Sequence, residues 1–179
     1  MARTGTSTCR ILGIDPGLET TGYGAIELRG RDVAVVEAGT IQTDPKAPLA
    51  ERLSRLQADL AALLAELKPD LAAVEKLYAH YKHPRTAILM GHARGVILLA
   101  CSQAAVRVRD FPATMVKRAL TGNGHASKQQ VQRAVQVVCG LREIPEPPDV
   151  ADALAIALCA GKQSTDYTDY TDRTKEEKA

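Results

Sequence analysis

Three short apolar segments follow one another near the start of the chain, and only turn residues separate them. Residues 10–14 are typical of a short buried strand, and residues 22–28 and 32–43 predict two further strands. The last two are joined by the short turn Arg29-Gly30-Arg31. This order predicts a three-stranded antiparallel meander.

Beyond the meander, predicted helices and strands alternate. Leucines recur at helical spacing over 49–67, and Pro69 ends that helix. The remaining elements are predicted as strands at 71–75 and 106–111 and helices at 84–105, 112–120, 127–139 and 150–161. The pattern predicts an α/β domain with a mixed five-stranded sheet flanked by helices, in which the first, fourth and fifth strands run parallel.

The chain of 179 residues has the length of one domain. We expect a flexible extension over 1–9, a folded domain over 10–161, and a disordered tail over 162–179, where Thr, Asp, Tyr and Lys dominate. The sequence contains no apolar run of membrane-spanning length and no apolar signal segment, so a cytoplasmic protein without a membrane partner is expected. The four cysteines are isolated, which favours free thiols.

Charge is distributed unevenly along the chain. Residues 76–142 contain 11 Lys and Arg but only one acidic residue, Asp110, whereas the segments on either side carry net negative charge. Such asymmetry favours a polyanionic partner such as nucleic acid, although solvated helix faces are the simpler explanation for any one cation.

Four carboxylates are candidates for a shared site. Asp15 and Glu75 each follow a predicted strand, and parallel strands bring their carboxyl ends to one edge of a sheet. Asp149 and Asp152 are three residues apart at the start of the last helix, so they share a face. Taken singly, Asp15 is also a common turn residue and Asp149 a common helix cap.

Convergence of four carboxylates would require a cation, because the acids repel one another and raise one another's pKa. Oxygen-only ligands suit Mg²⁺, and Mn²⁺ is expected to support activity as well. Two such ions ~4 Å apart would activate water and stabilise the leaving oxygen in phosphodiester hydrolysis.

Several motifs, in this order, resemble the bacterial RuvC Holliday-junction resolvases over about residues 10–158. They are GIDPG with TGYG downstream, VEKLY, GHARGV, TGNGHASKQQVQ and DVADALAIA. The resemblance implies a ribonuclease-H-like fold, a homodimer, and Mg²⁺-dependent paired nicking of four-way DNA junctions in recombination and repair. It also implies collaboration with a branch-migration motor.

The same resemblance assigns roles to individual residues. Asp15, Glu75, Asp149 and Asp152 match the metal-binding catalytic acids, although some members carry His where Asp149 stands. Tyr78 matches an aromatic residue that acts on bases near the crossover, and Lys117 and Lys128 match cations that contact DNA near the scissile phosphate. Further candidates for DNA contact are Tyr81, Lys82, Arg85, Arg94, Lys76 and Arg118.

Other functions share parts of this pattern. Actin-type and sugar-kinase-type phosphotransferases also open with Asp-x-Gly after a first strand, but they need a second related domain to enclose nucleotide. A related nuclease acting on RNA and a catalytically inactive junction-binding module are further alternatives. The complete acid set favours an active nuclease.

Finally, a helix at 84–105 is the predicted dimer interface. Its apolar residues cover more of the circumference than one core-facing stripe requires. They are Ile88, Leu89, Val96, Ile97 and Leu99. Burial of this helix within its own domain is the alternative.

Overall fold

A five-stranded mixed sheet forms the centre of the computed structural model, which describes residues 8–30, 32–77 and 84–176. The strands are β1 (Thr8–Asp15), β2 (Thr20–Arg29), β3 (Asp32–Gln42), β4 (Leu71–Glu75) and β5 (Arg107–Phe111). The helices are α1 (Leu49–Leu67), α2 (Pro84–Gln103), α3 (Ala113–Thr121), α4 (Lys128–Val138) and α5 (Pro148–Glu176).

The strands lie in the order β3-β2-β1-β4-β5. β1 pairs antiparallel with β2, and β2 pairs antiparallel with β3. β4 is parallel to both β1 and β5. The predicted meander, the parallel strands and the mixed five-stranded α/β architecture are therefore confirmed.

Apolar cores lie on both faces of the sheet. Leu12 and Ile14 of β1 point to the side covered by α1 and α2, whereas Ile11 points to the side covered by α3, α4 and α5. This alternation follows from the two-residue period of a strand. It explains why β1 is an apolar run without polar positions between residues 11 and 14.

Helix α5 is buried on nearly every side between residues 150 and 161. It approaches the sheet so closely that a Cβ atom at Gly13 would lie 2.1 Å from the Ala153 carbonyl oxygen. Only glycine permits this contact. The glycine in the first strand therefore serves the packing of the last helix.

The structure extends α5 to Glu176, past residue 161 where the sequence predicted the helix to end. No Pro or Gly follows Gly161, so no residue in this segment interrupts a helical backbone. The other predicted elements lie within two residues of their observed bounds. Across the described ranges, no helix has both the length and the apolar character of a membrane span.

Candidate active site

Two carboxylates lie side by side where the central parallel strands end. Ile14 is in register with Val74, so the next residues, Asp15 and Glu75, are neighbours at the same sheet edge. Both side chains are half-buried. A hydrogen bond joins them, with protonated Asp15 as donor and Glu75 as acceptor.

The start of α5 brings two more carboxylates to this edge. Gly22 of β2 pairs directly with Asp15. A Cβ atom at Gly22 would lie 2.2 Å from the carbonyl oxygen of Asp149, so the backbone of α5 rests against the strand at this point. Asp149 and Asp152 therefore begin the helix beside Asp15, as the sequence predicted for a shared site.

Burial and mutual repulsion keep a proton in this cluster. Burial, the charge of Glu75 and the hydrogen bond to it, and the charges of Asp152 and Asp149 together raise the pKa of Asp15 from its ordinary 3.8 to about 8. Burial also raises the pKa of Glu75, while the hydrogen bond from Asp15 and the charges of Lys117 and Lys128 act in the opposite direction. A group of acids that retains a proton near neutral pH is one that a divalent cation would stabilise.

Two lysines complete the site on the side of α3 and α4. The Lys128 ammonium lies 2.8 Å from Oδ2 of Asp152. Lys117 and Lys128 line a cavity of about 270 Å³ together with Glu75 and Asp152. Apolar side chains form the rest of its lining, and they are Ala113, Val116, Val131, Ala155 and Ile156.

A capping box, which the sequence predictions did not include, positions Lys128. The Ser127 side chain accepts a hydrogen bond from the Gln130 backbone N–H, and the Gln130 side chain accepts one from the Ser127 backbone N–H. The pattern Ser-x-x-Gln before a helix was the available signal. The capping box makes Lys128 the first residue of α4 and thereby sets the position from which its side chain reaches Asp152.

The donor chemistry of the cluster fits a hard divalent cation, because all candidate ligands are carboxylate oxygens. Within the ranges that the structure describes, no three His, Cys, Asp or Glu side chains yet enclose a position for an ion. Two contacts engage these acids instead: Asp15 shares a hydrogen bond with Glu75, and Asp152 faces Lys128. Metal binding would replace both contacts.

The remaining candidate residues have different surroundings. Tyr78, Tyr81 and Lys82 lie outside the described residues, so their proposed DNA contacts stay predictions. Arg94 pairs with Asp110 at 2.5 Å, and only 20% of its side chain is exposed, so its charge is already neutralised within the chain. Three further cations are exposed, and they are Lys76, Arg85 and Arg118.

The raised pKa of Asp15 predicts a pH-dependent stability. Between about pH 4 and pH 8 the folded chain retains a proton on Asp15 that the unfolded chain has lost. The free energy of unfolding should therefore fall as pH rises through this window, by up to about 1.4 kcal/mol per pH unit. Urea unfolding in the presence of a chelator measures this slope, and Asp15→Asn should make it shallower. An equal slope in that variant would contradict the prediction.

Comparisons with known proteins agree on one family. The family model described as crossover junction endodeoxyribonuclease RuvC matches residues 11–160. A protein of that name from Rhodopirellula baltica is 51% identical over 158 residues, which cover 88% of each chain. Another from Halothermothrix orenii is 46% identical over 151 residues, covering 84% of this chain and 91% of the relative.

Solved structures give the same result. Thermus thermophilus RuvC is 35% identical with a TM-score of 0.78, over 84% of this chain and 92% of the other. The same protein in complex with a Holliday junction substrate superposes with a TM-score of 0.79 over the same shares. The yeast mitochondrial Holliday junction resolvase Ydc2 shares the fold, with a TM-score of 0.66, 12% identity, and coverage of 97% of this chain and 88% of its own.

Proposed function

This chain belongs to the RuvC family of crossover junction endodeoxyribonucleases, and on that premise we propose how its side chains cut a Holliday junction. It is a nuclease that hydrolyses DNA phosphodiester bonds, and it resolves Holliday junctions in recombination and repair. Nucleases of this family depend on metal. The proposal is that Asp15, Glu75, Asp149 and Asp152 hold two Mg²⁺ ions, or Mn²⁺ in their place.

One observation carries this proposal. Carboxylates from β1, β4 and α5 meet at the carboxyl edge of the sheet, where Asp15 is repelled by each of the other three. When bound, a pair of divalent ions would supply an activated water and stabilise the leaving oxygen. Asp15 and Glu75 would give up their shared proton to become ligands.

The two lysines are proposed to receive the DNA backbone beside the acids. Lys117 and Lys128 lie on the same cavity as Glu75 and Asp152, so a phosphate held by the lysines would be next to the carboxylates. Compact ammonium groups bind phosphate as point charges. Tyr78 is proposed to stack on bases near the crossover, on the basis of the family resemblance.

The direct test is incubation with a synthetic four-way DNA junction, with and without Mg²⁺. Paired nicks on two symmetry-related strands are expected only with the metal, and a linear duplex of the same sequence should be cut far more slowly. Equal cleavage in a chelator, or equal cleavage of the duplex, would contradict the proposal. A four-way RNA substrate tests the RNA-directed alternative in the same assay.

Lys117→Ala should weaken junction binding and reduce its salt dependence. Loss of one phosphate contact should lower the slope of log affinity against log salt concentration by about one. Fluorescence anisotropy over a salt series measures the slope. Lys68→Ala is the matched control, because Lys68 lies between α1 and β4 at the opposite edge of the sheet and should leave the slope unchanged. Equal slopes in both variants would show that Lys117 is only a solvated surface residue.

We also propose a homodimer that uses α2. A junction must be nicked on two strands, and the described part of this chain holds one acid cluster, so a two-fold dimer supplies the second site. Ile97 of α2 is buried in the chain's own core, whereas Ile88 and Leu99 are 60% and 53% exposed. Gly91 and Gly95 lie between them with open space above their backbone. Such a face accommodates another helix closely.

Leu99→Glu should therefore shift the protein from dimer to monomer, because a charge would be buried at the interface. Sedimentation equilibrium at micromolar concentration measures the change. Val137→Glu is the control, since Val137 is 78% exposed on α4, away from α2. A wild-type dimer that persists in Leu99→Glu would place the interface elsewhere.

We also propose that the protein works with a branch-migration motor and acts in the cytoplasm. The family resemblance implies the motor, and a DNA substrate is consistent with the location.

A further inference from the structure

The Lys128 side chain forms an ion pair with Asp152, a carboxylate that the proposed metal site also needs. Its ammonium lies 2.8 Å from Asp152 Oδ2, within hydrogen-bond distance. The hydrogen bond to Asp152 raises the pKa of Lys128, and the charges of Asp152, Asp149 and Asp15 act in the same direction. The positive charge of Lys128 therefore interacts favourably with several acids of the cluster, and its closest contact is with Asp152.

The other surroundings of Asp152 belong to the same cluster. Asp152 repels both Asp15 and Glu75, as shown by its effect on the pKa of each. No acidic residue lies in the first turn of α4, so Lys128 projects from a helix start that is itself electropositive. Among the described residues, Lys128 thus provides the positive charge nearest to Asp152, in the place where a bound ion would provide it.

We propose that Lys128 is a built-in counter-ion which a divalent cation must displace from Asp152, and whose ammonium is thereby released to bind a DNA phosphate. The inference rests on the proposed function, because it takes Asp152 as a metal ligand. The side chain is 57% exposed, so it has room to turn toward DNA once the ion pair is broken. Metal and DNA then favour each other's binding. A metal ion on Asp152 frees Lys128 for the DNA phosphate, and a phosphate on Lys128 frees Asp152 for the metal ion.

Lys117 provides a matched comparison. It lines the same cavity and its charge acts on Glu75. Within the described part of the chain, however, its ammonium forms no ion pair with a carboxylate. Loss of Lys117 removes an equal charge from the site without freeing Asp152. Comparison of variants at the two lysines therefore distinguishes general repulsion of a metal ion from direct competition for the Asp152 carboxylate.

The experiment is Mn²⁺ binding to the metal-free full chain without DNA, at fixed pH and ionic strength, followed by the electron paramagnetic resonance signal of free Mn²⁺. Lys128→Met keeps the aliphatic stem and should bind Mn²⁺ roughly threefold more tightly than Lys117→Met, as expected for removal of one exposed ion pair. Lys128→Arg should remain close to the wild type, because it keeps the ion pair. Circular dichroism verifies the fold of each variant, and Lys128→Gln provides a second neutral replacement.

Each outcome supports or overturns the inference. An equal gain in Mn²⁺ affinity in Lys117→Met and Lys128→Met would show only a general electrostatic effect and would overturn the inference. Weaker Mn²⁺ binding in both Lys128→Met and Lys128→Gln would also overturn it. Asp15→Asn tests the underlying site separately: unchanged Mn²⁺ binding in that variant would refute the proposed ligands. If Asp15→Asn weakens binding while the Lys128 variants have no effect, the proposed site stands and the competition is disproved.

Discussion

Asp15→Asn should abolish nicking of a four-way junction in Mg²⁺ while the variant still binds the junction. The substitution keeps the shape of the side chain but removes the charge of a carboxylate that Glu75, Asp149 and Asp152 surround. We expect a rate at least about 1000-fold lower, equivalent to roughly 4 kcal/mol of lost metal-assisted stabilisation. Single-turnover cleavage and binding by gel shift measure the two properties separately.

Asp59→Asn is the control for this prediction. Asp59 forms a surface ion pair with Arg55 on α1, so its replacement removes an equal charge without touching the acid cluster. It should cleave at nearly the wild-type rate. A wild-type rate in Asp15→Asn would refute the assignment of Asp15.

Mixed dimers extend the same test to the pairing of subunits. A dimer with one wild-type subunit and one Asp15→Asn subunit should nick one strand and fail to resolve the junction efficiently. Differently tagged subunits allow the mixed species to be purified and its products analysed on denaturing and native gels. Paired cuts made by a monomer would disprove the proposed dimer.

Gly22→Ala should lower both the cleavage rate and the stability of the fold, although position 22 carries no reactive group. The new Cβ atom would lie 2.2 Å from the carbonyl oxygen and 2.7 Å from the carbonyl carbon of Asp149. Backbone atoms cannot swing aside, so the start of α5 must move and take Asp149 and Asp152 with it. A displacement of about 1 Å at a catalytic group costs roughly 100-fold in rate, and the strain should cost about 1–3 kcal/mol of stability.

Gly24→Ala is the matched control, with the same substitution two residues along the same strand. Its Cβ atom would lie 2.7 Å from Cδ2 and 2.8 Å from Cγ of Leu154, and 3.1 Å from the Leu154 backbone nitrogen, so its closest contacts are side-chain atoms, which shift more easily than backbone. Cleavage rates and urea unfolding of the two variants should show the larger loss of activity for Gly22→Ala. Equal losses would indicate that the start of α5 is not held by this contact.

The sequence determined much of the site because its signals are local. Asp15 follows an apolar run and precedes Pro16 and Gly17, which is enough to place a carboxylate at a strand end. The spacing of Asp149 and Asp152 places both on one helical face in the same way. Since connection rules bring the ends of parallel strands to one edge, the proximity of Asp15 and Glu75 was predictable as well.

The length of α5 was less predictable. The tail has a composition that argues against independent order, whereas the backbone past residue 161 continues as helix to Glu176. Composition reports how much apolar surface a segment can bury, but helix continuation depends on whether a breaking residue intervenes, and none does. The domain boundaries over 1–9 and 162–179 stay predictions.

Only the tertiary structure decided which charges pair and which apolar residues remain exposed. Nothing in the local sequence indicates that Lys128, and not Lys117, contacts Asp152, or that Arg94 is neutralised by Asp110. The same is true of α2, where Ile97 is buried and Leu99 exposed. The sequence by itself determined which acids stand at the ends of strands and at a helix start, because a few adjacent residues set those positions. Distances between side chains from separate elements depend on how the helices pack on the sheet, and hydrophobic burial drives that packing without specifying direction.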